Sequence, residues 1–151
     1  MTDQARDAAL AALVARVPYI AFLGIRFDRC GDELTARMPF QPRLIGNPVL
    51  PALHGGATAA FLEVAAIVSL GWQGIIDTDG SDEGMLRLPK TISFTIDYLR
   101  TGQSRDAFAR ARVTRQGRRF AAVHVEGWQD ERLKPFAQGH GQFLMPGPAQ
   151  K

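Results

Sequence analysis

A largely apolar run from Ala57 to Trp72, in which Glu63 near the middle is the one charged residue, is the part of this sequence that any fold must be built around. It is shorter than the ~20 residues needed to cross a bilayer, so it reads as a buried helix from about Gly55 to Trp72 rather than a membrane span. A helix apolar almost all round has to be covered on nearly every side. Its surroundings supply strands. Leu23, Ile25 and Phe27 alternate with polar or small residues. After the Cys30-Gly31-Asp32 turn, Leu34, Ala36, Met38 and Phe40 share one face. A proline-rich stretch, RLIGNPVLPALHGG, reads as a loop into the helix. Beyond a polar loop over 77–84, Ile92, Phe94, Ile96 and Tyr98 alternate with Thr91, Ser93, Thr95 and Asp97. Three further strands are expected over Ala107–Thr114, Phe120–Gly127 and Phe136–Leu144.

The spacing of Leu10, Leu13, Val14 and Val17 predicts an N-terminal helix over Asp3–Val17, ended by Pro18. The order is helix, two strands, long helix, four strands. The last strands are too closely spaced for crossover helices, which disfavours a parallel sheet. The expectation is an α+β domain spanning 1–151, an antiparallel sheet curled round one central helix. Consecutive strands should pair as a meander, residues 1–18 should carry the extra helix, and a flexible tail should begin at residue 146.

Glu63 is the chemical anomaly. At ~100° per residue it lies about 140° round the helix from Thr58, outside any polar stripe, and its i−4 and i+4 neighbours are Ala59 and Ile67. A carboxylate so placed is costly unless something polar from elsewhere meets it. The helix opens with LHGG, Leu53–Gly56. Two glycines let a ligand approach the backbone, and the free N–H groups of a first helical turn can stabilise a developing oxyanion. The same glycines would also serve tight helix–sheet packing.

Other chemistries find no support. His54, His124 and His140 lack metal-ligand spacing and Cys30 stands alone, so no metal or disulfide is expected. The stretch DTDGSDEG has Leu88 where a calcium loop needs its twelfth-position acid. There is no G-x-S-x-G, dinucleotide or P-loop pattern. The N-terminal MTDQARDAAL has acidic residues where a secretion signal carries a basic flank, which together with the lone cysteine suggests a cytoplasmic protein. Seven arginines between Arg100 and Arg119 face only Asp106 as a local counter-charge, a field suited to a polyanionic ligand.

The run GNPVLPALHGGATAAFLEVAA resembles the active-site segment of PaaI-like hotdog thioesterases, in which an N…HGG stretch enters the central helix and an acid follows nine residues after the histidine, as Glu63 follows His54. TISFTIDYLRTG, TRQGRRFAAVHVE and AQGHGQFL resemble the family's later strands. The resemblance implies a hotdog fold and hydrolysis of an acyl-CoA, with no cofactor beyond the coenzyme A of the substrate. It also implies homodimers or homotetramers with active sites at subunit interfaces. Gly55 and Gly56 would then hold the thioester oxygen, with His54 in the same segment. Asn47 would position the carbonyl or the water, Thr91 would assist the water, and Glu63 would act as base or nucleophile. Asn47 stands seven residues before His54, often one more than in the family. Gly117, Arg118 and Arg119, at a tight turn, would meet the phosphates of coenzyme A.

Two rivals remain at this stage. A hotdog dehydratase or hydratase would need a histidine just before the proline-rich loop, where Leu44 and Ile45 stand, or a D-x-x-x-x-H pattern, which is absent. A non-catalytic acyl-CoA-binding hotdog protein gives no reason for the carboxylate on the helix. Arg110 and Arg112 read as the solvent face of a sheet, and neither nucleic acid nor membrane is expected as a partner.

Overall fold

The computed structural model describes residues 1–80 and 88–147. Helix α1 (Asp3–Ala15) is capped by Thr2, whose side chain accepts from the Ala5 N–H. Pro18 does more than end it. Its fixed φ starts a second helix, α2 (Pro18–Leu23), which Gly24 closes at φ 71°, a conformation that favours glycine. The alternation through Leu23, Ile25 and Phe27 is therefore not one strand. Leu23 ends a helix, and strand β1 spans only Arg26–Cys30.

Strand β2 (Glu33–Met38) buries Leu34, Ala36 and Met38, as its period requires. The proline-rich segment is not plain loop. A 3-10 turn (Pro42–Leu44) leads into a small hairpin, β3 (Ile45–Asn47) with β4 (Ala52–Leu53), which feeds directly into helix α3 (Gly55–Asp77). This helix runs past Trp72. Of the stretch read as a polar loop over 77–84, Asp77 belongs to α3 and residues 78–80 form a turn. The remainder of that loop lies outside the described residues, as do the tail residues 148–151.

Strands β5 (Lys90–Tyr98), β6 (Ala107–Gln116), β7 (Phe120–Trp128) and β8 (Ala137–Leu144) complete an antiparallel sheet of order β1-β2-β6-β7-β8-β5. The meander holds for β6, β7 and β8, but β5 pairs with β8 and β6 with β2. The reason lies in the link between β5 and β6. The N–H groups of Leu99 and Arg100 both donate to Phe136 O, at 2.9 and 3.0 Å, which draws the chain past the end of β8 instead of into a hairpin.

Helix α3 is long and apolar enough to cross a membrane, yet here it is the core helix, with Phe61, Leu62, Ala66, Val68 and Ile75 packed against the concave face of the sheet. The N-terminal helix covers a second side. Leu13 lies so close to Gly71 that an added Cβ would stand 3.1 Å from its methyl carbons. Among the residues of α3 left half-buried, Ala60, Glu63 and Ile67 lie along one stripe.

Asp106 does not serve the seven arginines. It pairs with Arg37 (2.8 Å) and accepts the Phe40 N–H (2.7 Å), and these contacts, the backbone one foremost, hold its carboxyl below the usual carboxylate range. A depressed folded-state pKa stabilises the fold above the unfolded carboxyl's value and loses that contribution as pH falls through the folded value. Asp106→Asn should therefore cost about 1 kcal/mol at neutral pH, discounted for exposure, and the gap to wild type should close below about pH 4. Thermal melts of both proteins from pH 7 to pH 3 check this.

Candidate active site

The polar partner that Glu63 requires comes from β5. Thr91 Oγ1 donates to Glu63 Oε1 at 2.6 Å, joining residues 28 apart in sequence. Simple alternation puts Thr91 on the face opposite Phe94, Ile96 and Tyr98. A β-bulge resolves this: Thr91 opposes Phe143 and Ser93 opposes Gln142, so Ile92 is the extra residue and its side chain is exposed. Thr91 is thereby turned toward α3 together with Phe94, whose ring lies where a Cβ on Gly139 or Gly141 would have to be.

At the start of α3, His54 is the N-cap. Its Nδ1 accepts the Gly56 N–H at 2.9 Å, so a neutral His54 carries its proton on Nε2. Gly56 owes its identity to this cap, since a Cβ there would come within 2.9 Å of the imidazole. Gly55 packs against Tyr98, whose hydroxyl donates to Gly55 O at 2.7 Å. Of the first-turn amides, Gly56 is thus engaged within the chain, whereas those of Gly55 and Ala57 have no partner among the described residues. Asn47 Oδ1 accepts the Val49 N–H at 3.1 Å, closing a turn at the tip of the β3–β4 hairpin.

Within one chain the structure joins Glu63 with Thr91, and His54 with Gly55 and Gly56. The two groups stand apart. Gly55 and Glu63 are separated by about 12 Å along the helix axis. They are tied to opposite ends of β5, Glu63 through Thr91 and Gly55 through Tyr98. Gly117, Arg118 and Arg119 form the β6–β7 turn, closed by Gly117 N–H to Phe120 O at 2.8 Å. Beside it is a hollow of about 380 Å³ lined by Arg115, Arg118, Arg119, Phe120 and Gln142. No ion pair engages Arg115, Arg118 or Arg119 among the described residues, in contrast to Arg105 with Asp130 and Arg110 with Glu33. Register places this turn at the same end of the sheet as the carboxylate, because Phe120 and Lys90 both oppose Leu144. Tyr98 was legible in the sequence only as one residue of a strand. Nothing in the local pattern points to its bond with a carbonyl 43 residues away.

An antiparallel sheet wrapped round one long core helix, whose first-turn amides of Gly55 and Ala57 have no partner among the described residues and whose Glu63 is bonded by Thr91, defines a hotdog protein. The sequence profile of the family described as the acyl-CoA thioesterase N-terminal domain matches residues 47–144. The medium/long-chain acyl-CoA thioesterase YigI of Escherichia coli K12 is 34% identical over 126 residues, covering 80% of this chain and 81% of YigI. The chain belongs to the acyl-CoA thioesterase family and is a thioester hydrolase. A crystal structure from Chromobacterium violaceum is 36% identical with a TM-score of 0.68, each chain covered to 93%. The E. coli PaaI structure shares the fold, with a TM-score of 0.76 over 95% of this chain and 94% of that one at 19% identity. The dehydratase and binding-only readings are not favoured.

Proposed function

We propose that this protein hydrolyses medium- to long-chain acyl-CoA in the cytoplasm, with Glu63 as the catalytic carboxylate and the start of α3 as the oxyanion site. The observation that carries the assignment of Glu63 is its 2.6 Å bond from Thr91 on an otherwise apolar helix face. In the general-base form of the reaction, Glu63 takes a proton from water as the water oxygen bonds to the thioester carbon. The carbonyl oxygen becomes an oxyanion facing the unpaired Gly55 N–H at the positive end of the helix dipole. The carbon–sulfur bond then breaks, and the thiolate of coenzyme A takes the proton back from Glu63. Thr91 would orient the carboxylate and the water, and Asn47 the carbonyl. The chain-length preference is taken from YigI. A panel of short, long, branched and aromatic acyl-CoAs, read by thiol release, should give its highest kcat/KM on unbranched medium or long chains. A preference for aromatic or short acyl groups would reject that choice.

The separation of the two halves of the site favours a dimer in which Glu63 and Thr91 of one subunit face the α3 start of the other. Two exposed features suit such a partner: the half-buried stripe through Ala60, Glu63 and Ile67, and the open edge of β5. Assembly to a dimer or tetramer belongs to this proposal.

Arg118 and Arg119 are assigned to the phosphates of coenzyme A, with Gly117 permitting the turn. Replacing both with alanine should raise KM by roughly tenfold at low salt, flatten its salt dependence and leave kcat nearly unchanged. An unchanged KM at low salt would place the nucleotide elsewhere.

A further inference from the structure

Helix α3 starts on two glycines, the residues that lose most backbone freedom on ordering and hold a first turn least well. The peptide unit between them is nevertheless held at both ends. Its carbonyl, Gly55 O, accepts the Tyr98 hydroxyl at 2.7 Å, and its N–H, that of Gly56, donates to His54 Nδ1 at 2.9 Å. On the other side of Gly55, the backbone N–H of His54 donates to Leu44 O at 2.8 Å. The His54–Gly55 peptide, whose N–H has no partner among the described residues, lies between these anchors. Its own carbonyl, His54 O, accepts the Thr58 N–H at 3.1 Å, so the direction of the Gly55 N–H depends on that helical bond and on the flanking anchors together. A Cβ on Gly55 would press on the Tyr98 ring, 3.2 Å from the phenol oxygen and 3.3 Å from Cζ.

We infer that Tyr98 is a positioning residue for the oxyanion site: from the end of β5, its hydroxyl sets the aim of the Gly55 amide. The inference rests on the proposed role of the α3 start. Tyr98 is 57% exposed in the chain, so losing its hydroxyl removes little from global stability. A mis-aimed donor, by contrast, weakens an interaction that matters most once negative charge develops on the oxygen, and so lowers kcat more than it raises KM.

The test compares Tyr98→Phe with wild type and with Tyr19→Phe, which removes another exposed phenol hydroxyl. Steady-state kinetics on an acyl-CoA, thermal melting and amide hydrogen exchange at Gly55 and Gly56 are measured on each. Tyr98→Phe should lower kcat by about tenfold with KM within about twofold. Its Tm should stay within about 2 °C of wild type. Exchange should accelerate at Gly55 and Gly56, and Tyr19→Phe should match wild type throughout. Wild-type kcat in Tyr98→Phe, a rise in KM alone, or a kcat loss accompanied by general destabilisation would overturn the inference. Wild-type kcat in Tyr98→Phe beside an inactive Glu63→Gln rejects only the role of Tyr98. Full activity in a folded Gly56→Val variant rejects the role of the α3 start on which the inference rests.

Discussion

Replacing Glu63 with glutamine should lower kcat for acyl-CoA hydrolysis by ~10²-fold or more and leave the fold in place. Glutamine has nearly the same shape, and its amide oxygen can still accept the Thr91 hydroxyl that meets Oε1 at 2.6 Å in the native chain. The helix keeps its packing, because the side chains that bury α3 in the sheet lie on other faces of the helix. What is lost is a group able to take a proton from water or to attack the thioester carbon. KM should change little if the coenzyme is held mainly by the arginine turn. The measurement is thiol release by a Gln variant whose circular dichroism and melting match wild type. Near-normal turnover in such a protein would remove Glu63 from the mechanism.

The second large effect is on subunit mixing. Glu63→Gln and Gly56→Val should each be inactive alone, the latter because any Cβ at Gly56 meets the His54 ring at 2.9 Å and disrupts the N-cap. If each site combines the carboxylate of one chain with the α3 start of its partner, a mixed dimer contains one site with both mutations and one with neither. Random reassembly of equal amounts after reversible unfolding gives mixed dimers in about half the population, so about a quarter of wild-type activity should return. An isolated monomer should have none. Mixed dimers that form and remain inactive would show that both groups act within one chain. The geometry behind this expectation is the separation of about 12 Å between Gly55 and Glu63 along one helix axis. A thioester carbonyl, its donor and its attacking water fit more readily across two chains.

Much of the architecture was written in local pattern. The apolar run from Ala57 to Trp72 demanded a covered helix, and period-two alternation marked β2 and β5, because both signals follow from side-chain direction within one element. Glu63 stood out for the same reason, as a charge with no partner at i±4. The sequence could not show which strand would lie beside which. The pairing of β5 with β8 depends on Leu99 and Arg100 binding Phe136 O, a contact between distant residues. Nor could alternation alone bring Thr91 to Glu63, since Thr91 and Tyr98 are an odd number of positions apart and face the same helix only because the bulge at Ile92 shifts the register. Pro18 was visible, but it ends one helix and begins the next, and the direction of the chain beyond it is set by Ile20, Leu23 and Ile25 finding the core. Local sequence thus determined which segments are helix or strand and that one buried-helix carboxylate needed a partner. The tertiary structure decided that the partner is Thr91, and that the Gly55–Gly56 peptide is held between Tyr98 and His54. The Thr91 and Tyr98 bonds in particular join residues far apart in the chain, which no short-range pattern encodes.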